Sequence, residues 1–120
     1  MNSAEIVNAQ LVAFNAHDMD SFAATYADGA CVYRMPHAKL VCRGKAQLIE
    51  NYGRAFKNEG LHAEVPARLV IGNKVIDHEK TWGLTPEPLE FVVVYEVHES
   101  LIHAVWLYQA DQLSAPPADA

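Results

Sequence analysis

The sequence predicts an α+β domain, helices first and a curved antiparallel sheet after them, folded around one apolar pocket. Three observations carry this. Apolar residues recur with a helical period through the first half of the chain, then alternate with a period of two from residue 62 onward. The late strand-like segments follow one another across tight turns, the pattern of an antiparallel meander. At 120 residues, 51% of them hydrophobic and 20% charged, the chain has the size and composition of one globular domain that can bury a core around a cavity.

Each element follows in order. Residues 5–17 place Val7, Leu11 and Phe14 at i, i+4 and i+7, one buried helical stripe. Asp18 reads as the N-cap of a second helix with Met19, Phe22, Ala23 and Tyr26 on its inner face, and Gly29 is placed to end it in a left-handed cap. Residues 30–35 form a short first strand, and Pro36 to Gly44 a loop. Gly44 opens a third helix over 45–58, with Leu48, Tyr52, Ala55 and Phe56 inward and Lys45, Glu50, Arg54 and Lys57 in solvent. Strands at 63–71 and 74–82 flank a Gly72-Asn73 hairpin turn. After the sheet-breaking GLTPEP segment, strands at 91–97 and 101–108 meet at His98-Glu99-Ser100. The domain spans residues 1–109, and residues 110–120, small, polar and Pro-containing, read as a flexible C-terminal tail.

Composition narrows the function. The net charge is −6 and the nine Lys and Arg residues are scattered singly, so no nucleic-acid partner is expected. Apolar runs are too short for a membrane span. The N-terminus has neither a basic head nor an apolar signal core, which makes a cytoplasmic location the expectation. Cys31 and Cys42 form no CxxC pair and read as reduced packing thiols. No GxSxG elbow, Walker A loop or GxGxxG occurs, so no cofactor is expected. A metal site from His37, His62 and Glu79 lacks any HxH or HxxxH spacing, and no metal is expected either.

The segments NAHDMDSFAATYADGACVY (15–33), RGKAQLIENYGRAF (43–56) and VVVYEVHESLIHAVWLYQ (92–109) resemble the SnoaL-like, ketosteroid-isomerase-like branch of the nuclear transport factor 2-like superfamily. The matching features are an Asn-x-His-Asp turn between two helices, a Tyr-Ala-Asp end to the second, a Gly-Lys opening to the third, and a closing hairpin. The resemblance implies a cone-shaped barrel, three helices packed on a strongly bent antiparallel sheet, with a ligand in the mouth of the cone. It also implies a homodimer through the outer face of the sheet.

Strand side chains alternate between two faces. Aligned without gaps on the ketosteroid isomerase pattern, the inner set is Val75, Asp77, Glu79 and Thr81, then Phe91, Val93, Tyr95 and Val97, then Ile102, Ala104, Trp106 and Tyr108. The outer set, with Val94, His103, Val105 and Trp82 expected near a dimer seam, is too apolar for a face left in water. Two carboxylates, Asp77 and Glu79, thus face an apolar lining, where burial costs several kcal/mol unless the group is paired or protonated. Arg34 is the expected partner, with His62 and Tyr52 as others; a purely structural ion pair to Arg34 or Arg68 is the competing account. Ketosteroid isomerase chemistry needs an aspartate base with a tyrosine and a protonated aspartate as donors. The resemblance puts those positions on Arg34, Gln10 and Val93, and a guanidinium is no base.

His17 and His98 are expected in solvent, and His78 and His103 on the outer face. His37, near the mouth, and His62 are the histidines placed for acid or base work. The expected function is binding of a small hydrophobic molecule, with isomerase, cyclase or lyase chemistry by Asp77, Glu79, Arg34 and His62. Tyr52, Tyr95, Trp106, Tyr108, Val93 and His37 would contact the substrate. The alternative is a noncatalytic ligand-binding or accessory dimeric domain.

Overall fold

A computed structural model describes residues 1–112; the remainder of the expected flexible tail lies outside the described residues. Helix α1 (Ser3–Asn15) starts at a capping box in which Asn2 and Glu5 each accept the other's backbone N–H. Helix α2 (Met19–Ala24) is capped by Asp18, whose carboxylate accepts from Ser21. Then follow β1 (Tyr26–Arg34), β2 (Lys39–Arg43), α3 (Gly44–Phe56), β3 (His62–Ile71), β4 (Lys74–Trp82), β5 (Leu89–His98) and β6 (Leu101–Gln109). The six strands form one curved, unclosed sheet in the order β2-β1-β6-β5-β4-β3.

The order helices-then-sheet and the meander β3 to β6 match the sequence reading. The sheet is not wholly antiparallel, because β1 pairs with β6 in parallel. Two element boundaries also differ. Helix α2 ends at Ala24, five residues before Gly29; its C-cap is Thr25, whose hydroxyl donates to the Phe22 carbonyl and whose own carbonyl accepts from Ile102 on β6. Pairing with β6 therefore takes Tyr26 onward into a strand, and Gly29 lies inside that strand. The expected loop 36–44 contains β2, whose five residues carry too little alternation to stand out and which forms only against β1. At the other end, Ala110 is tied by its N–H to the Glu90 carbonyl, so the first residue of the expected tail still belongs to the sheet edge.

The Asn-x-His-Asp turn has a structural task. Asn15 both donates to the Ala63 carbonyl and accepts from the Ala63 N–H, acting as a short extra strand against β3. His17 is not in open solvent as expected: its ring bonds the Leu61 carbonyl and stacks on Phe56. The helical layer is thereby clamped to one edge of the sheet, and the core (Val7, Phe22, Tyr26, Leu48, Val93 and Ile102 among others) fills the concave side.

One register shift matters for the site. Glu96 pairs with Ala104 but Val97 pairs with Ile102, so His103 is an extra residue on β6. Beyond it every side chain is on the opposite face from a gapless reading. Val105 and Leu107 point inward, and Ala104, Trp106 and Tyr108 point outward.

The far end of the concave side depends on a close backbone crossing. Gly83, at φ +96°, lies where a Cβ would meet the Gly60 carbonyl at 2.7 Å, and the Asn58 amide donates to the Gly83 carbonyl. Gly83→Ala is expected to cost about 1–3 kcal/mol or more, because positive φ and a backbone clash combine; urea unfolding with an unchanged m-value measures it.

Candidate functional site

The concave face of the sheet is longer than three short helices can cover. Helix α3 shows the consequence: only Leu48 is fully buried on it, and its other inward residues, Tyr52 and Ala55, border empty space. The space is a cavity of about 450 Å³ between α3 and strands β1, β4, β5 and β6. Phe14, Val41, Leu61, Leu84, Phe91, Val105 and Leu107 supply an apolar wall. Gln10, Tyr26, Tyr52, Tyr95, Glu79 and Thr81 supply the inner polar groups, with Arg34, Asn51 and Arg54 also on the lining.

The two inward carboxylates have different environments. Asp77, 1% exposed, stands directly opposite Arg68 in the β3–β4 register and takes a two-pronged pair from it, at 2.7 and 3.0 Å. Arg34 is not its partner. Glu79 lies two residues further on, where β3 shifts register between Glu64 and Ala67, so the facing segment is Val65-Pro66. Its neighbour on β5 is Phe91. Neither side offers a cation, and among the described residues Glu79 makes no ion pair; only the Thr81 hydroxyl donates to it, at 3.2 Å.

Glu79 is part of the cavity lining. Burial pushes its carboxyl up to about 7, with the Thr81 hydrogen bond opposing the rise and the Asp77 charge adding to it. Three phenols share this enclosure. Tyr26, Tyr52 and Tyr95 are all raised above the ordinary tyrosine range, first by burial and further by the Glu79 charge. They stay protonated near neutrality and are available as neutral hydrogen-bond donors. Tyr26 is further tied to Gln10, whose amide donates to its hydroxyl at 3.4 Å. A carboxyl that changes charge near pH 7, among fixed neutral donors, can take a proton from a weak carbon acid and steady the anion that results.

Of the residues expected here, Glu79, Tyr52, Tyr95 and Arg34 come together on one cavity. The others do not. Asp77 faces inward but is committed to Arg68 and lies outside the cavity wall. Val93 is sealed in the packed core. Trp106 and Tyr108 are on the outer face, turned there by the extra residue at His103; Trp106 stacks on Tyr33 at 6.2 Å. For the same reason Val105, expected at a dimer seam, lines the cavity instead. His62 is exposed beside Glu64 at 3.6 Å, its ring near Trp82. His37 is exposed in the turn between β1 and β2. His37, His62 and Glu79 do not converge, and among the described residues no group of three His, Cys, Asp or Glu side chains could hold a metal ion.

Tyr26 and Gln10 were missed as site residues. Tyr26 sits on the inner side of either a helix or a strand, and a buried phenol needing a partner was the available signal.

The family model for the SnoaL-like domain matches residues 7–105. No curated protein sequence matches the chain. Among solved structures, an uncharacterised cystatin-fold protein from Novosphingobium aromaticivorans is 25% identical, with 89% of this chain and 97% of that one covered at a TM-score of 0.80. A putative ketosteroid isomerase from Kribbella flavida is 18% identical, with 96% and 82% covered at 0.79. A putative polyketide cyclase from Sinorhizobium meliloti is 22% identical, with 89% and 99% covered at 0.73. These likenesses are of fold. Among the described residues no helix is long and apolar enough to cross a membrane.

The raised carboxyl of Glu79 has a signed consequence for stability. Its folded value, about 7, lies above its ordinary value of 4.5. The stability it permits is complete below pH 4.5 and is lost as pH rises through 7, by up to about 3 kcal/mol. Glu79→Gln is therefore expected to match the wild type at pH 4 and to exceed it in melting temperature at pH 8.

Proposed function

The chain belongs to the SnoaL-like domain family, and from that premise we propose that it binds a small, largely apolar molecule and moves a proton on it. Glu79 is the general base, working beside a carbonyl of the substrate. The reaction class is isomerase, cyclase or lyase. One observation carries the reading: a carboxyl without a cation partner, lifted to about 7, in an apolar cavity ringed by three protonated tyrosines.

The steps follow from these groups. The Glu79 carboxylate takes the proton from the carbon next to the carbonyl, and the electron pair moves onto the carbonyl oxygen. A tyrosine hydroxyl donates to that oxygen, and the cavity wall keeps water from quenching the anion. Glu79, now protonated, returns the proton to another carbon or to a departing group. This arrangement differs from the ketosteroid isomerase set, whose base position here is Arg34.

Proton exchange tests the base directly. A panel of cyclic ketones and lactones in D2O, followed by NMR, should show enzyme-dependent deuterium uptake next to the carbonyl. The rate should rise with pH through about 7, as Glu79 ionises. Glu79→Gln should lower it by about 10²–10⁴ without lowering the melting temperature. Enzyme-dependent exchange that survives Glu79→Gln undiminished overturns Glu79 as the base, and no exchange with any member of the panel leaves a noncatalytic binding domain as the better account.

The outer face supports assembly as a homodimer. Tyr33, Trp106, Val94, Ile76 and Leu69 are register partners in sequence across β1, β6, β5, β4 and β3, one continuous apolar row. Val92 and Tyr108 lie beside it, 45% and 40% exposed. A second copy of the same row is self-complementary cover for such a face. Light scattering should give twice the 13.3 kDa chain mass, and Trp106→Glu should give a folded monomer; a wild-type monomer at micromolar concentration contradicts the assignment.

A further inference from the structure

The sequence suggests Arg34 as the partner of a buried carboxylate. The structure gives Asp77 to Arg68 instead, and among the described residues Arg34 has neither an ion pair nor a side-chain hydrogen bond. Its neighbours across the sheet are Leu107 on β6 and Lys39 on β2, neither acidic. The side chain nevertheless faces the cavity: it is part of the lining, and its charge opposes the rise of the Tyr52 hydroxyl on the opposite wall. Arg54, the other guanidinium on the lining, already has partners in Glu50 at 3.6 Å and Asn51 at 3.3 Å. The chain carries a net charge of −6, yet the cavity's exposed end holds an uncommitted cation and its interior holds Glu79.

We propose that the cavity ligand is an amphipathic organic anion, its apolar body lying against Phe14, Leu61, Phe91 and Val105 and its oxyanion head held by Arg34. A carboxylate matches the planar guanidinium best, by two parallel hydrogen bonds. The arrangement also sets the ligand's direction. Glu79, when ionised, repels the head, so the head stays at the mouth and the neutral part of the ligand meets the base. This inference rests on the reading of the cavity as a small-molecule site.

Two fluorescent probes with the same aromatic body separate the two ideas. 1-Anilinonaphthalene-8-sulfonate carries an oxyanion, and N-phenyl-1-naphthylamine does not. Wild-type protein should bind the sulfonate more tightly than the amine. Arg34→Gln, at an exposed position, should weaken the sulfonate by about tenfold or more, leave the amine within twofold, and keep the melting temperature. Loss of neither probe, or of both equally, overturns the anion assignment while the cavity reading stands. Ala55→Trp, which fills the cavity, should weaken both probes; Val41→Trp serves if that variant does not fold. If the filled variants bind both probes as well as the wild type, or if no probe binds at all, the cavity reading fails and the anion assignment with it.

Discussion

A curved six-stranded sheet presents more concave surface than two turns of α2 and the thirteen-residue helices α1 and α3 can cover. Close packing of the rest makes that shortfall local instead of spread. Where α1 and α2 meet the sheet, aromatic contacts fill the interior: Phe22 touches Phe14, Tyr26, Tyr52 and Phe56 at centroid distances of 4.9 to 6.2 Å. Beyond that cluster Tyr52 and Ala55 of α3 border empty space, and the cavity begins. The Asn15 and His17 bonds to β3, and the Gly60–Gly83 crossing, hold its edges at this width. Every property of the site depends on this unfilled volume.

The same geometry divides two acidic residues that look alike on paper. Asp77 and Glu79 share a strand and a face, yet one is neutralised and one is not. Regular pairing puts Arg68 beside Asp77, and a register shift puts a proline-containing bulge beside Glu79. Breaking a buried ion pair is costly, on the order of several kcal/mol, so Asp77 is locked to its partner. Glu79 bears the cost of burial alone and meets it by holding its proton to higher pH. A group in that condition costs the fold stability when it ionises, and groups so perturbed are concentrated at functional sites. Tyrosines are suited to share its enclosure, because burial that would trap a carboxylate in the wrong state only makes a phenol a more dependable donor.

Inner and outer faces are linked through the sheet. Inward residues of β4 and β5 carry Glu79 and Tyr95, and their outward neighbours Ile76 and Val94 belong to the apolar row. Helices cover one face alone, so the convex side keeps its valines, isoleucine and aromatics in water unless another surface meets them. The Tyr33–Trp106 stack forms one end of that row.

Much of the fold was legible from periodicity: helical stripes, the switch to a period of two at residue 62, and the hairpin turns at Gly72-Asn73 and His98-Glu99-Ser100. These are local, set by sterics and by which side of an element is apolar, so the amino acids alone determined them. The inward placement of Asp77 and Glu79 was legible too, because β4 runs unbroken opposite β5. What lay beyond the sequence were non-local pairings. The end of α2 was set by Ile102, some 77 positions away, β2 exists only because β1 is beside it, and the partner of Asp77 was set by cross-strand register. Trp106, Tyr108 and Val105 were assigned to the wrong faces for the same reason. Strand parity holds only until the first bulge, and one extra residue at His103 inverts every side chain after it. That residue is accommodated by the curvature of the assembled sheet, a property no stretch of sequence possesses by itself.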